Sequence, residues 1–374
     1  MIYLTVSLAL GFLTTFVGTP YARNYLLKSG IYGVDQQKHH KPKLATSGGI
    51  SVVFGFIVSV TTYLGFLSFA EASTASITLL LAALSATCII TLIGLVDDIH
   101  INLEKYVQEE AGVEDFSMDL GPETEAPDFL KDFKALLPFG KEVKDSGEVH
   151  REGLKQNLKM LFVLPAAFPL IAVGAGSTTM DLPLIGFIDW GLFYPFLLLP
   201  LGLLFVSNVV NMLAGTNGLS AGLSLVASFY LGLFAYINGE MTAAVIAWSL
   251  TATLLAFMYY NLYPASILPG DSLTYLCGAA MFSSMVVGNM ELFGVLLFTP
   301  WIIEFFLKMR SGFQAHSWGI IQNDGTLKPQ HDKIYSLTHP LMMKGLTEKQ
   351  ITVALIGLEV VVGAAALVLV TTVL

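Results

Sequence analysis

Charged residues and cysteines are both scarce in this sequence. Only 13% of its 374 residues are Asp, Glu, Lys or Arg, about half of the share in ordinary soluble domains. The two cysteines, Cys88 and Cys277, lie in apolar stretches with no cysteine or histidine nearby, which excludes a disulfide framework and a zinc site built on them. Hydrophobic residues make up 54% of the chain. We therefore predict an integral membrane protein rather than a set of soluble domains.

The apolar residues are grouped into runs long enough to cross a bilayer, which takes about 20 residues. The first run has no basic residues before it and no A-x-A cleavage site, so we interpret it as a retained span rather than a signal peptide. The sequence predicts an all-α polytopic membrane protein, a single membrane domain over 1–374, with about ten transmembrane helices. These are 2–20, 48–69, 76–96, 158–175, 190–211, 219–237, 241–260, 272–288, 290–309 and 350–373.

Basic residues are missing from every second predicted loop. All 19 Lys and Arg, and all seven His, fall in the segments 23–43, 97–159 and 308–349. The loops near 70–75, 174–189, 238–240 and 288–291 have none. Because basic loops stay on the cytosolic side, we predict that both termini lie on the outer side and that the active site lies at the cytosolic face.

The segment 104–152 is an acidic insert. It holds 14 acidic and 6 basic residues, and thus nearly all of the chain's net charge of −9. Phe129, Leu130, Phe133, Leu136 and Leu137 follow helical spacing. Two interpretations remain open: a solvated, partly disordered insertion, or a functional element, which would be an interfacial helix or a partner-docking element.

Two polar patches lie at predicted helix ends. Asp97 and Asp98 close the third span, where acidic side chains oppose the helix dipole, so a functional role is favoured over a simple terminus. The fifth span ends in the run Asn-Val-Val-Asn-Met-Leu-Ala-Gly-Thr-Asn-Gly-Leu, residues 208–219. Asn208 and Asn211 share one helix face. Polar contacts between helices are the alternative explanation for these amides.

Two further patches lie at predicted helix entrances. Asp271 starts the eighth span, as an N-cap or as an oxygen ligand for Mg²⁺, which completes its shell with substrate phosphates. The first basic loop runs from Lys41 through Thr46 to Gly48 and Gly49, a pattern that suits phosphate binding, although paired glycines also simply end loops. Together the four patches favour phosphoryl transfer, in which positioning and charge neutralisation suffice.

In order and spacing, these motifs resemble the polyprenyl-phosphate N-acetylhexosamine-1-phosphate transferase family over nearly the whole chain outside the insert. The most specific part is the run 208–219. Its Leu-Ala-Gly-Thr-Asn-Gly-Leu form, with Tyr263-Pro264 and Gly270-Asp271, is similar to the archaeal and eukaryotic branch, which uses UDP-N-acetylglucosamine and dolichyl phosphate. The Asp-Gly-x-Asp-Gly motif and triple-His loop of the bacterial cell-wall branch are absent.

The resemblance implies a role for each matching residue. Asn211 and Asp271 would hold Mg²⁺, with Mn²⁺ as an alternative. Asp97 and Asp98 would act on the lipid phosphate and Lys159 on the nucleotide diphosphate. The residues that would contact the substrates are Lys41, Thr46, Asn208, Leu213, Gly215, Asn217 and His316. Many bacterial members have a Lys shortly after the acidic pair, where this chain has His100-Ile101-Asn102. His316 stands where relatives place Arg or His on the diphosphate, and a solvated loop histidine is the alternative there.

The implied reaction joins a UDP-N-acetylhexosamine to a polyprenyl phosphate lipid, with UMP leaving. A bacterial-type transferase on undecaprenyl phosphate is one alternative; a secondary transporter or flippase of an anionic substrate is another, although transporter sites lie near the bilayer midplane. The expected location is the cell membrane of an archaeon or the endoplasmic reticulum of a eukaryote, with no nucleic-acid partner. Glu359, within the last span, predicts contact with a partner helix or a subunit interface, and so leaves a homodimer open.

Overall fold

A computed structural model of the chain describes residues 1–70, 74–99, 163–182 and 186–372. The acidic insert and Lys159 lie outside these residues. The described part is mainly helical, and its helices are α1 Ile2–Lys28, α2 Gly49–Phe69, α3 Thr74–Ile99, α4 Phe168–Ala172, α5 Leu199–Met212, α6 Leu219–Ile237, α7 Met241–Asn261, α8 Gly270–Val287, α9 Glu291–Leu297, α10 Thr299–Met309, α11 Thr338–Met343 and α12 Glu348–Thr372.

Short elements connect these helices. A 3₁₀ turn, Leu164–Ala167, precedes α4, and a π turn, Tyr194–Leu198, leads into α5. Three antiparallel hairpins join the strands β1 Tyr32–Val34 and β2 Lys43–Ala45, β3 Thr179–Leu182 and β4 Gly186–Asp189, and β5 Ile320–Ile321 and β6 Leu327–Lys328. The first hairpin pairs Tyr32 with Ala45, which returns the chain to the start of α2.

Seven helices of the described part are long and apolar enough to cross a membrane: α1, α2, α3, the Tyr194–Met212 helix that includes α5, α6, α7 and α12. The pair α9 and α10 would make an eighth span, bent by 62°. Pro300 causes this break, because it has no N–H to offer the carbonyl of Leu296. The Thr299 hydroxyl bonds that carbonyl instead, at 2.6 Å. The predicted span 290–309 is therefore not one straight helix.

Helix α8 explains another difference from the predicted spans. It matches the predicted span 272–288, yet its hydropathy is too low for it to count among the seven. Every residue from Ser272 to Val287 is buried, so α8 is surrounded by other helices rather than by lipid. Close packing needs small residues at such interfaces, and a side chain at Gly278 would overlap the α5 backbone at Ser207. Of the predicted span 158–175, the described part holds only the 3₁₀ turn and α4, and this span stays a prediction.

One end of the helix bundle gathers all of the polar motifs. Hydrogen bonds join the end of α3 to the start of α8, the loop before α2 to the segment before α8, and the start of α6 to the start of α12. The basic segments 23–43 and 308–349, which the structure describes, lie at this end. Residues 1 and 372 end helices that run to the opposite end of the bundle.

Candidate active site

Asp98 caps helix α8 from the end of helix α3. Its carboxylate accepts the backbone N–H of Asp271 at 2.8 Å and that of Ser272 at 3.0 Å, and the side chain is only 8% exposed. A side chain at Gly270 would overlap Asp98, and Gly270 has a φ of +70°, so glycine is required there. Asp98 thus positions Asp271, while the neighbouring Asp97 remains half-buried.

Tyr275 links this acidic end of α8 to the amides of α5. Its hydroxyl lies 3.4 Å from Oδ1 of Asn208, whose amide nitrogen donates to the Leu204 carbonyl at 2.8 Å. The ring is fully buried, and Asp271, Asp97 and Asp98 are its charged neighbours. Sequence reasoning missed Tyr275, although it follows Asp271 by four residues and so lies on the same helix face.

The register of α5 against α8 places Asn211 opposite Asp271. The two helices run antiparallel, with Gly278 against Ser207 and Tyr275 against Asn208. One further turn along each helix brings Asn211 to the level of Asp271. A carboxamide and a carboxylate at one level suit Mg²⁺, which takes few protein ligands and several substrate or water oxygens. Among the described residues, no three His, Cys, Asp or Glu side chains gather as a closed metal site.

A cavity of about 240 Å³, here called the central cavity, brings Asn211 and His316 together. Lys308 of helix α10 and Trp318 also line it, and sequence reasoning named neither. The rings of His316 and Trp318 lie 5.2 Å apart. Asparagine, lysine and histidine side chains around one cavity offer ligands for a phosphorylated molecule.

His316 is held through its backbone by a second histidine. Nε2 of His339 lies 2.9 Å from the His316 carbonyl oxygen, while Nδ1 accepts the Tyr335 N–H at 3.3 Å. This arrangement assigns the ring proton to Nε2. Burial lowers the pKa of His339, so the neutral form that makes both bonds is favoured.

The turn between α5 and α6 lines a second cavity. This turn cavity, of about 160 Å³, is bordered by Asp35, Gln37, Gly215, Asn217 and Trp318, among others. Gln37 donates its amide to the Gly215 carbonyl, and the Asn217 amide donates to Asp35 at 3.0 Å. The predicted residue Leu213 is fully buried beneath the turn.

A buried ionic network holds Asn217 in place. Its backbone N–H donates to Glu348 at 2.8 Å, and Lys38 bridges Glu348 and Asp35, 3.1 Å from the latter. The Lys38 ammonium also lies 4.5 Å from the ring centre of Tyr263. Buried charges persist when they are paired in this way. Sequence reasoning missed Asp35, Lys38 and Glu348, which come from distant parts of the chain.

The part of the first basic loop from Lys41 to Gly49 packs against the segment before α8 and does not open onto these cavities. The N–H groups of Gly48 and Gly49 bond to the carbonyls of Leu268 and Pro269 at 3.0 and 3.2 Å. They are therefore not available to cradle a phosphate, and the paired glycines serve close packing instead. Thr46 is buried with 1% exposure, and Lys41 is exposed. Neither borders the central or the turn cavity.

An apolar groove of about 390 Å³ runs between α5 and α10. The groove is lined by Leu201, Leu204, Phe205, Asn208, Met212, Phe305 and Phe313. Met212 and Phe313 also line the central cavity. The groove therefore joins an apolar surface to the polar site, and Met212 and Phe313 lie where the two meet.

The sequence of this chain is similar to those of known proteins. Residues 145–289 match the family model described as glycosyl transferase family 4. The family resemblance is confirmed. A protein of Saccharolobus solfataricus, provisionally named as a UDP-N-acetylglucosamine–dolichyl-phosphate N-acetylglucosaminephosphotransferase, is 28% identical over 97% of this chain and 95% of its own length. A protein of Sulfolobus acidocaldarius with the same provisional name is 27% identical over 95% and 92%.

A bacterial relative matches a smaller part. The phospho-N-acetylmuramoyl-pentapeptide-transferase of Clostridium perfringens is 31% identical over 41% of this chain and 49% of its own length. These two archaeal relatives thus match nearly the whole of this chain, whereas the bacterial relative matches less than half of it. Several long apolar helices and this family resemblance identify an integral, multi-pass membrane protein.

Proposed function

We propose that this protein transfers N-acetylglucosamine-1-phosphate from UDP-N-acetylglucosamine to a dolichyl-type polyprenyl phosphate. UMP leaves, and polyprenyl-diphospho-N-acetylglucosamine is formed. The names of the archaeal relatives support both substrates. The proposed reaction needs a lipid phosphate and a nucleotide sugar to meet at one polar site beside the membrane.

The adjacency of three cavities, which share lining residues, is the observation that carries this proposal. The apolar groove shares Met212 and Phe313 with the central cavity, and the central cavity shares Ala214 and Trp318 with the turn cavity. An isoprenoid chain in the groove would deliver its phosphate to the central cavity, past Met212 and Phe313. A nucleotide in the turn cavity would extend its diphosphate toward the same place.

Each part of the reaction then has candidate residues. The lipid phosphate oxygen attacks the β-phosphorus, and the α-phosphate leaves with UMP. Asp97 would orient or deprotonate the lipid phosphate, whereas Asp98 would hold α8 and Asp271 in position. Asn211 and Asp271 would hold Mg²⁺, which would supply charge neutralisation to the diphosphate. Lys159, outside the described residues, stays a predicted phosphate ligand.

The placement of basic residues at the site end of the bundle supports one orientation of the protein in the membrane. Every described Lys and Arg lies in the segments 23–43 and 308–349, that is, in the loops at the site end or in the helix turns next to them, and the described parts of the opposite loops have none. By the positive-inside rule we expect the site at the cytosolic face and both termini on the outer side. Nucleotide sugars would then reach the site from the cytosol.

The test is UMP release by purified protein in detergent or vesicles. UDP-N-acetylglucosamine with dolichyl phosphate and Mg²⁺ should release UMP, and EDTA should stop the release. Asp324, an exposed loop residue, offers a matched control: Asp324→Asn should retain the activity that Asp271→Asn loses. Turnover only with UDP-N-acetylmuramoyl-pentapeptide and undecaprenyl phosphate would favour the bacterial-type alternative. Uptake of intact UDP-N-acetylglucosamine into vesicles without UMP release would favour the transporter.

A further inference from the structure

Glu304 of helix α10 is a buried carboxylate to which the proposed reaction assigns no role. It is fully buried, and one of its oxygens, Oε2, accepts hydrogen bonds from the backbone N–H of Leu337 at 2.7 Å and from the hydroxyl of Ser336 at 3.1 Å. The hydroxyl of Ser317 lies 3.1 Å from its other oxygen. A carboxylate leaves water at a large cost unless several donors satisfy it. Here all three donors come from the segment 315–339, which we call the clamp segment.

Lys308, one turn after Glu304, holds the beginning of the clamp segment. Its ammonium donates to the carbonyl of Ala315 and lies 3.8 Å from Glu304. The two side chains share one face of α10. Glu304 thus binds both ends of the clamp segment, directly at Ser336 and Leu337 and through Lys308 at Ala315.

Ser317 transmits this anchorage to the site. Its hydroxyl has one proton to share between Glu304 and the carbonyl of Met212, 2.9 Å away at the end of α5. Its own carbonyl accepts the Thr338 hydroxyl at 2.7 Å and presses against Gly215 so closely that a side chain there would overlap it. The residues on either side of Ser317 are His316 and Trp318, which line the central cavity.

We propose that Glu304 is a positioning residue that sets His316 and Trp318 against Asn211 and thereby determines how tightly the nucleotide sugar is held, an inference that rests on the proposed function. Its carboxylate acts through the clamp segment and contacts no substrate. Because Trp318 also borders the turn cavity, a shift of the clamp segment changes both cavities that would hold the nucleotide sugar. None of the residues that line the apolar groove belongs to the clamp segment.

Two substitutions separate positioning from simple packing. In Glu304→Gln the amide oxygen can still accept from the Leu337 N–H. The amide nitrogen then faces Ser317 and can donate to its hydroxyl, since a hydroxyl accepts as readily as it donates. Glu304→Leu removes every one of these bonds. A matched control is Glu359→Leu, which removes an equally buried carboxylate from α12, where neither oxygen has a hydrogen-bond partner among the described residues.

The kinetic measurement is the KM for each substrate in the UMP-release assay. We expect Glu304→Leu to raise the KM for UDP-N-acetylglucosamine about tenfold or more, since small displacements at a site are costly. The KM for polyprenyl phosphate should stay within about threefold, and Glu304→Gln should restore most of the affinity. Glu359→Leu should leave both constants unchanged.

Hydrogen–deuterium exchange supplies a readout that does not depend on activity. Glu304→Leu should speed exchange in peptides covering 315–339 and leave peptides of α6 and α7 unchanged. If the wild-type protein releases no UMP, the proposed function fails and exchange alone decides whether Glu304 anchors the clamp segment. If Glu304→Leu does not fold, Ser336→Ala, which removes one of the three donors, should show the same effects in weaker form. A lower melting temperature with unchanged KM and unchanged local exchange would overturn the proposal.

Discussion

Asp97 and Asp98 are adjacent, yet we expect their substitution to affect the stability of the protein differently. Asp98→Ala removes the acceptor of two backbone N–H groups at the start of α8. An unsatisfied buried donor costs about 1–3 kcal/mol, and the helix dipole loses its negative partner as well. We therefore expect a loss of about 2–4 kcal/mol in the free energy of unfolding, together with lost activity because Asp271 shifts. Asp98→Asn keeps one oxygen and should cost about half as much.

Asp97→Asn is the matched control one residue away. It leaves the cap intact, so we expect the melting temperature in detergent to stay close to wild type while UMP release falls by at least about a hundredfold. Thermal unfolding and the UMP assay would be run on both variants in the same detergent. An Asp98→Ala protein as stable as wild type would refute the cap argument. Wild-type turnover by Asp97→Asn would remove Asp97 from the chemistry.

Three further predictions test the surroundings of the site. Gly215→Ala should push Ser317 away, lowering stability by about 1–3 kcal/mol and raising the KM for UDP-N-acetylglucosamine; an unchanged KM would contradict the close contact. Leu201→Trp should fill the apolar groove and raise the KM for polyprenyl phosphate alone; an equal rise for both substrates would argue against a lipid groove. Burial holds the pKa of His339 below its unfolded value of about 6.5. The unfolded state therefore binds the proton first, and stability should fall as the pH drops below about 6.5, by at most about 1.4 kcal/mol per pH unit. His339→Gln should remove that part of the acid sensitivity seen in thermal melts, and an unchanged pH profile would assign it to other groups.

The role of each polar residue was harder to predict than the presence of the site. The asparagine spacing predicted that Asn208 and Asn211 share a helix face. In the structure Asn208 faces the Tyr275 hydroxyl, and Asn211, one turn further along α5, comes to the level of Asp271. The central cavity also unites Asn211 with His316, residues about a hundred positions apart. By contrast, the paired glycines after Lys41 looked like a phosphate loop, but their N–H groups are used for packing.

The environment of Glu359 was also not predictable from its position in the sequence. An acidic residue inside a span predicted contact with a partner helix or another subunit, and the chain alone buries it fully. Its burial therefore gives no separate reason for a dimer. The oligomeric state stays a prediction.

The sequence by itself determined the membrane setting, most of the spans and the end of the bundle that carries the chemistry. Those features depend on runs of apolar residues and on the placement of charge, which are local along the chain. Only the tertiary structure decided which carboxylate caps α8, why α8 is less apolar than its neighbours, and which residues hold the clamp segment. Adjacent residues on a helix point about 100° apart, so the roles of Asp97 and Asp98 depend on where α3 packs against α8. Glu304 meets Ser317 and Leu337 across gaps of 13 and 33 residues, and no local pattern encodes contacts that form only when distant segments pack together.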